Sequence, residues 1–182
     1  PEQVIVVLDE AYFEYVEQEN YPDGIKLLAE YDNLVVTRTF SKIYGLAALR
    51  IGYSASSDAI AELLNRARQP FNVNAFAQEA ALTALDDTEY VSRSRNLNNI
   101  GLQQLEEAFD DMGLNYIDSV GNFICVDVGP DAMGVYDGLL RAGVIVRPVG
   151  NYNMPNHLRI TVGTEAENTT FIDALTALLA TS

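Results

Sequence analysis

Blocks of apolar and polar positions in the first part of the chain predict two neighbouring strands. Residues 4–8 are all apolar, a pattern typical of a strand that is covered on both faces of a sheet. A turn-rich loop and a short helix over residues 25–29 lead to a second apolar run at residues 34–37. Because a helix connects them, the two strands are predicted to be parallel neighbours.

Helical spacing dominates the middle of the chain. A strand-like segment at residues 49–55 precedes an amphipathic helix that begins at Asp58, its expected cap, and ends at residue 68, and a second helix covers residues 75–85. A longer helix is predicted over residues 90–112, where Gly113 ends it. This helix is polar on most faces, which suits a connection between two domains.

The last part of the chain predicts a small α+β domain. Strands are expected at residues 115–119, 123–128, 144–147 and 158–162, with helices at residues 136–142 and 165–179. The fold class is therefore α/β, with a mostly parallel sheet in residues 1–89. The long connecting helix and the small domain occupy residues 90–182.

Composition excludes several classes of protein. The 182 residues are 48% hydrophobic, so the chain is long and apolar enough to form a globular core. Its 26 acidic residues outnumber its 11 basic ones, and the net charge of −15 argues against nucleic acid or an anionic membrane as a partner. No apolar run approaches the ~20 residues that span a bilayer.

The single cysteine and the single histidine indicate no chemistry of their own. Cys125 excludes an internal disulfide and is compatible with a reducing compartment, and the apolar residues around it predict a buried structural thiol. His157 has no second ligand at a useful spacing, so no metal site is predicted. A surface loop is the expected place for this histidine.

Candidate chemistry begins where the second apolar run ends. Thr39 and Ser41 precede Lys42, and Arg50 follows eight residues after the lysine. Two hydroxyls and a guanidinium supply short donors and a planar fork, which is what a phosphate group needs. A lysine amine beside them is suited to forming a Schiff base. The alternative is that these residues have no function, and that Lys42 is a solvated lysine and Arg50 a surface arginine at the end of a strand.

Together with the Asp-Glu-Ala-Tyr motif at residues 9–12, this cluster resembles the fold type I aminotransferases, which use pyridoxal 5'-phosphate. The resemblance implies that Lys42 bonds to the cofactor, that Asp9 pairs with its pyridine nitrogen and that Tyr12 donates to its phenolic oxygen. The residues that match the family's phosphate ligands are Thr39, Ser41 and Arg50. Residues 1–89 then correspond to the C-terminal part of the cofactor-binding large domain.

Motifs further along the chain make the resemblance more specific. Those at residues 70–74, 146–148 and 158–164, with the ones above, resemble the histidinol-phosphate aminotransferase family over essentially the whole chain. The resemblance implies that Arg159 binds the substrate carboxylate, with Asn122 near it. It also implies that Arg147 binds the substrate phosphate, with Asn74 close by. Strand-end arginines with solvated tips are the alternative for both.

The implied function is transamination between L-histidinol phosphate and 2-oxoglutarate, giving imidazole-acetol phosphate and glutamate, in a cytoplasmic homodimer of histidine biosynthesis. A threonine-phosphate decarboxylase and an aromatic amino acid aminotransferase remain open, because they share most of the motifs. A domain that binds without catalysing also remains open. The chain begins without Met, close to a strand, and is expected to be a C-terminal fragment. Without the family's glycine-rich phosphate loop, it is expected to be inactive alone.

Overall fold

The computed structural model describes residues 3–180, and the chain folds into two compact units. The first unit runs up to Ser94 and the second begins at Arg95, so the boundary falls inside a long helix. None of the helices in the described range is long and apolar enough to cross a membrane.

A three-stranded sheet forms the centre of the first unit. Its strands are β1 (Val6–Asp9), β2 (Leu34–Thr39) and β3 (Gly52–Ser56), in that spatial order. β1 and β2 are parallel, with Asp9 opposite Thr37, which confirms the predicted pairing. β3 is antiparallel to β2, so this part of the sheet is mixed and not purely parallel.

Burial within this sheet is uneven. Leu34, Val35 and Val36 of β2 are buried, whereas Val6 and Val7 of β1 are 47% and 62% exposed. The apolar pattern of residues 4–8 is typical of a covered strand, but within residues 3–180 the faces of β1 are partly open. Within residues 3–180, β1 pairs with β2 alone, so its other edge meets no strand.

Helices follow the strands of the first unit. They are α1 (Gly24–Leu27), α2 (Asp58–Ala67), α3 (Ala75–Asp86) and α4 (Thr88–Asp111), with 3-10 turns at Phe13–Tyr15 and Ala47–Leu49. The cap of α2 is Ser57 and not Asp58, and its side chain makes no capping hydrogen bond. Asp58 lies in the first helical turn, where its carboxylate interacts favourably with the helix dipole.

The second unit contains an antiparallel sheet, as the sequence predicts. Its strands are β4 (Tyr116–Ile117), β5 (Phe123–Asp127), β6 (Arg147–Pro148) and β7 (His157–Thr161), in the spatial order β4-β5-β7-β6. Its helices are α5 (Ala132–Arg141) and α6 (Glu165–Leu179), and a 3-10 turn covers Gly150–Tyr152. His157 therefore begins a strand, and the prediction of a surface loop for it is wrong.

β6 is shorter than the predicted strand at residues 144–147. The backbone N–H of Val144 donates to the carbonyl of Leu139 at 2.9 Å and closes the end of α5, where Gly143 adopts a φ of +83°. This hydrogen bond takes Val144 out of the sheet, so pairing with β7 begins only at Arg147.

The core of the second unit lies between its sheet and the helices. Alternate residues of β5 and β7 point into it, including Ile124 and Leu158, which are fully buried. α4 contributes Leu102, Leu105 and Phe109, which recur at helical spacing. The second part of this helix therefore has one apolar stripe that packs in the core, while its other faces are polar.

α6 has the predicted bounds and begins with a capping box. The Thr164 hydroxyl accepts from the Glu167 backbone N–H, and the Glu167 carboxylate accepts from the Thr164 backbone N–H at 2.8 Å. Hydrogen bonds from the backbone and then the side chain of Thr164 lower the pKa of Glu167. Phe171 and Leu175 anchor the helix in the core. The start of α6 is thus fixed by both caps and burial.

Candidate active site

The parallel pairing of β1 and β2 brings their carboxyl ends to one edge of the sheet. Asp9 is the last residue of β1 and lies directly opposite Thr37. Its Oδ1 accepts from the backbone N–H of Ala11 at 3.1 Å, a short-range turn that leads the chain towards Tyr12. An exposed carboxylate is thereby held at the edge of the sheet where α/β proteins bind ligands.

Lys42 and Tyr12 meet beyond this edge. The Lys42 Nζ lies 5.0 Å from the centroid of the Tyr12 ring, and both residues are half-buried. Thr39 Oγ1 accepts from the Ser41 backbone N–H at 3.1 Å, which turns the chain at the end of β2. Phe40 is buried against the ring of Tyr44, 5.0 Å away, and anchors this turn. The two hydroxyl residues and the lysine are therefore held on one short, packed segment.

Arg50 occupies an unusual backbone conformation. It ends the Ala47–Leu49 turn with a φ of 54° and a ψ of 53°, in the left-handed region, and its Nη1 donates to the Ala47 carbonyl at 2.9 Å. The predicted strand at residues 49–55 therefore begins only at Gly52. A Cβ at Gly52 would lie 2.7 Å from the Arg38 carbonyl, so β3 approaches β2 too closely there for a side chain. The rest of the Arg50 guanidinium is exposed at the surface.

A buried charge network on the same edge escaped the sequence analysis. Glu10 is buried, and its Oε2 accepts from the Nε and Nη2 of Arg38 at 2.9 and 2.8 Å. Arg38 also donates to Asp23 at 3.1 Å. Burial acts to lower the pKa of Arg38, but the hydrogen bonds and the charge of Glu10 outweigh it and raise the pKa. The strand register was the signal that could have revealed this pair, because pairing Asp9 with Thr37 puts Glu10 next to Arg38.

Two arginines face each other on the outer surface of the second sheet. Arg147 of β6 is the direct partner of Arg159 in β7. The Arg159 guanidinium lies 4.9 Å from the centroid of the Phe123 ring, and its buried Nε has no hydrogen-bond partner among the described residues. Like charges directly opposite each other destabilise a sheet. A negatively charged ligand between them would remove that repulsion.

The two predicted asparagines lie in different units, and each accepts a hydrogen bond from a backbone N–H. Asn74 caps α3, with its Oδ1 accepting from the Ala77 backbone N–H at 2.9 Å. Asn122 directly precedes β5 and is half-buried, and its carbonyl accepts from the Val162 backbone N–H at 3.0 Å. A buried neighbour, Asn98, donates to the Gly121 carbonyl at 3.0 Å and fixes the turn before Asn122.

Cys125 lies on the outer face of the second sheet, opposite Arg159. It is half-buried, because alternation along β5 turns Ile124 and Val126 into the core instead. The prediction of a buried structural thiol is therefore wrong, because Cys125 is only half-buried. Burial raises the pKa of the thiol while Arg159 lowers it, and the net direction is upwards, which disfavours a thiolate nucleophile. In residues 3–180, no group of three or more His, Cys, Asp or Glu residues is arranged to hold a metal.

The sequence matches a known class of proteins over almost its whole length. The chain belongs to the aminotransferase class I and II family, whose match covers residues 2–175. Among curated relatives, it is 61% identical to histidinol-phosphate aminotransferase 2 of Pseudomonas fluorescens strain Pf0-1, over 99% of this chain and 49% of the relative. It is 54% identical to histidinol-phosphate aminotransferase 1 of Nitrosococcus oceani, over 98% and 48%. The chain thus spans about half the length of the curated relatives it matches.

Solved structures of this family have the same fold. The crystal structure of histidinol-phosphate aminotransferase from Sinorhizobium meliloti in complex with pyridoxal-5'-phosphate superposes with a TM-score of 0.91 and 32% identity, covering all of this chain and 50% of that one. L-threonine-O-3-phosphate decarboxylase from Porphyromonas gingivalis superposes with a TM-score of 0.83, covering 98% and 56%, but is 24% identical. The second likeness therefore shows the fold alone, and the predicted fold class is confirmed.

Proposed function

We propose that this chain forms part of a histidinol-phosphate aminotransferase, which exchanges an amino group between L-histidinol phosphate and 2-oxoglutarate with the help of pyridoxal 5'-phosphate. One observation carries the proposal. Asp9, Tyr12 and Lys42 converge at one sheet edge in a chain that is 61% identical, along 99% of its length, to a relative of that name. The roles below belong to the longer protein.

The side chains of the first unit fit pyridoxal 5'-phosphate. Three side chains at this edge of the sheet match reactive groups of the cofactor. The Lys42 amine matches the aldehyde, the Asp9 carboxylate the pyridine nitrogen, and the Tyr12 phenol the phenolic oxygen. The phosphate ligands in the proposal are Thr39, Ser41 and Arg50. In support, the Thr39 hydroxyl accepts from the Ser41 backbone N–H in the turn that directly precedes Lys42.

The chain's own residues account for the proton transfers of the reaction. When bound, pyridoxal 5'-phosphate supplies the electron sink that stabilises negative charge at the substrate Cα. The Asp9 carboxylate keeps a proton on the pyridine nitrogen, which makes the sink effective. Lys42 Nζ would take the proton from the substrate Cα as general base in one half-reaction, and would deliver a proton to Cα of the product amino acid as general acid in the other. The Tyr12 hydroxyl donates to the phenolic oxygen and orients the ring near the lysine.

The two arginines of the second unit support substrates that carry anionic groups, one a carboxylate and the other a phosphate. Arg159 is proposed to bind the carboxylate of glutamate and 2-oxoglutarate, with Asn122 beside it, and Arg147 the phosphate of histidinol phosphate. Asn74 is proposed as a substrate-binding residue of the first unit. The buried, unpartnered Nε of Arg159 supports this assignment, since a carboxylate oxygen would supply the acceptor it lacks. Because Arg147 and Arg159 are strand partners, one surface can serve both substrates in turn.

A cytoplasmic homodimer completes the proposal. Phe71 and Phe76 of the first unit are 97% and 85% exposed, which supports a contact with a second subunit. The single cysteine supports a reducing compartment.

Reduction of the cofactor-loaded, full-length protein with borohydride tests the function. Peptide mapping should find the pyridoxyl group on Lys42, and an assay with histidinol phosphate and 2-oxoglutarate should release glutamate. A label on Lys26, which is exposed and lies beside Asp23, would contradict the assignment. Release of CO₂ without glutamate would replace transamination with decarboxylation.

A further inference from the structure

Glu10 is buried directly next to Asp9, yet the proposed reaction gives it no part. Its side chain is 3% exposed and makes three hydrogen bonds. Oε2 accepts twice from Arg38, and Oε1 accepts from the backbone N–H of Gly24 at 2.7 Å. A buried carboxylate is costly unless it is fully paired, so the surroundings of this one are built around it.

Gly24 and Phe13 extend the contacts of this pair. A Cβ at Gly24 would lie 2.7 Å from Glu10 Oε1 and 2.7 Å from Leu8 Cδ2, so a glycine is needed for the N–H to reach the carboxylate. The Arg38 guanidinium stacks 3.8 Å from the centroid of the Phe13 ring. Phe13 follows Tyr12 in the chain, and its N–H donates to the Glu10 carbonyl at 3.1 Å.

These contacts lie on the opposite face of the sheet from Asp9. Side chains alternate along a strand, so Arg38 points away from its neighbours Thr37 and Thr39, and Asp9 shares a face with Thr37, its direct partner. Glu10 directly follows β1 and extends its pairing, because its backbone N–H donates to the Thr37 carbonyl at 2.9 Å. Glu10 and Arg38 therefore act on the cofactor-binding face only through the backbone between them.

We propose that Glu10 and Arg38, here called the Glu10–Arg38 clamp, are positioning residues that hold Asp9 and Tyr12 in place against Lys42. The inference rests on the proposed function, because it concerns the side chains assigned to the cofactor. The clamp holds the chain at two points, at Glu10 through its carboxylate and at Phe13 through the stacked guanidinium. Asp9 directly precedes the first of these points, and Tyr12 lies between the two.

A planar fork is essential to this arrangement. Arg38 reaches one carboxylate oxygen with two nitrogens, reaches Asp23 with one of them and covers an aromatic ring, which a lysine ammonium cannot do at once. Arg38→Lys thus keeps the positive charge beside Glu10 and removes the fork and the stack. Glu10→Gln keeps the acceptor for Gly24 and removes the charge.

The test compares these variants with Val36→Ala in the full-length protein. Val36 is buried in the same strand and packs beside Gly24, and its truncation destabilises the sheet while leaving the hydrogen-bonding groups of Glu10 and Arg38 unchanged. Hydrogen exchange is measured without cofactor, and pyridoxal 5'-phosphate affinity by its visible absorbance. Arg38→Lys and Glu10→Gln should accelerate exchange in the peptide over residues 9–13 selectively and weaken cofactor affinity about 10- to 100-fold. Val36→Ala should change the affinity less than about threefold.

Two outcomes overturn different statements. If the clamp variants and Val36→Ala, compared at equal loss of thermal stability, accelerate exchange equally across the whole sheet and weaken affinity equally, the clamp is merely structural and the inference fails. If the unmodified full-length protein does not bind pyridoxal 5'-phosphate, the proposed function fails, and the exchange pattern still decides whether the clamp holds residues 9–13.

Discussion

The buried Nε of Arg159 indicates what kind of ligand the second unit binds. A donor removed from water and left without an acceptor costs about 1–3 kcal/mol. Here that donor sits beside a second arginine, Arg147, and above the Phe123 ring. Such a pair is stable when a carboxylate or phosphate lies against it, because each guanidinium can then bind an oxygen through two nitrogens.

Arg147→Leu should separate the two substrates of the proposed reaction. Loss of hydrogen bonds to a phosphate should cost about 1.5–3 kcal/mol, which corresponds to a roughly 10- to 150-fold lower kcat/KM for histidinol phosphate. Aromatic amino acids without a phosphate should lose far less. Steady-state kinetics of the full-length protein measure both.

Arg141→Leu is the matched control for this substitution. Arg141 is also exposed and lies in the last turn of α5, away from the sheet. It should leave both substrates unaffected. Equal losses for phosphorylated and unphosphorylated substrates in Arg147→Leu would reject the phosphate role.

At the residue scale, local motifs were predictable and long-range partners were not. Lys42 and Asp9 could be singled out as candidates because their neighbours in the chain form recognisable motifs. Arg38 could not be paired with Glu10 without the register of β1 and β2, since 28 positions separate them. The side of β5 on which Cys125 lies likewise depends on which neighbours enter the core.

Among the elements, α6 is the clearest case of a helix start determined by side chains. Its bounds were predicted correctly because the capping box and the first buried residue coincide at one end. β6 was predicted too long, because the local cap at the end of α5 uses the Val144 N–H and delays the start of the strand. Composition does not show it.

Glu167→Gln should change the pH dependence of stability. Hydrogen bonds from Thr164 lower the pKa of Glu167 in the folded state below its reference value of 4.5. The stabilisation is therefore complete above that value and is lost as the pH falls through the folded pKa. Urea unfolding should show destabilisation by Glu167→Gln at pH 7 that shrinks or vanishes at low pH. Glu165→Gln, in the same helical turn, controls for the helix dipole, and an identical pH profile for both would contradict the capping role.

At the scale of the whole molecule, the negative charge is high, and acidic residues crowd the end of α4. Burial, and then the charges of Asp118 and Asp110, raise the pKa of Glu106. A raised carboxyl pKa means that the folded state binds the proton more tightly than the unfolded chain, so stability falls as the pH rises from 4.5 through the folded pKa. The sign is opposite to that of Glu167.

Glu106→Gln should therefore stabilise the protein at pH 7 and have little effect near pH 4. Asp137→Asn, an exposed carboxylate on α5, removes the same charge without this neighbourhood. Thermal unfolding at both pH values measures the difference. A gain from Asp137→Asn as large as that from Glu106→Gln would assign the effect to the net charge of −15 alone.

The isolated 182-residue chain should self-associate and bind pyridoxal 5'-phosphate weakly, and should lack transaminase activity. The free edge of β1 and its exposed valines are a template for another strand. Val7→Lys should lower the association measured by sedimentation, because a charge on an edge strand opposes pairing. Leu140→Lys, on α5, should not. Stoichiometric cofactor binding at micromolar concentration, with turnover, would contradict this expectation.

The fold class was predictable because the order of strands and helices is local information. The coverage of β1 was not predictable. The apolar pattern of residues 4–8 shows that the strand can be buried, but its actual burial depends on the segments packed against it. The apolar stripe of α4 depends in the same way on its packing partners. Residues 88–94 of the helix belong to one unit, and the rest of it packs in the core of the other.

The pairing of Arg147 with Arg159 has a practical consequence for work at the bench. Two guanidinium groups on adjacent strands attract any small dianion, whatever the reaction of the protein. An ion that binds the folded state and not the unfolded one raises the apparent melting temperature with its concentration. Phosphate and sulfate buffers would then act as ligands and competitive inhibitors at once. A zwitterionic buffer with chloride as counterion is the suitable medium for this chain.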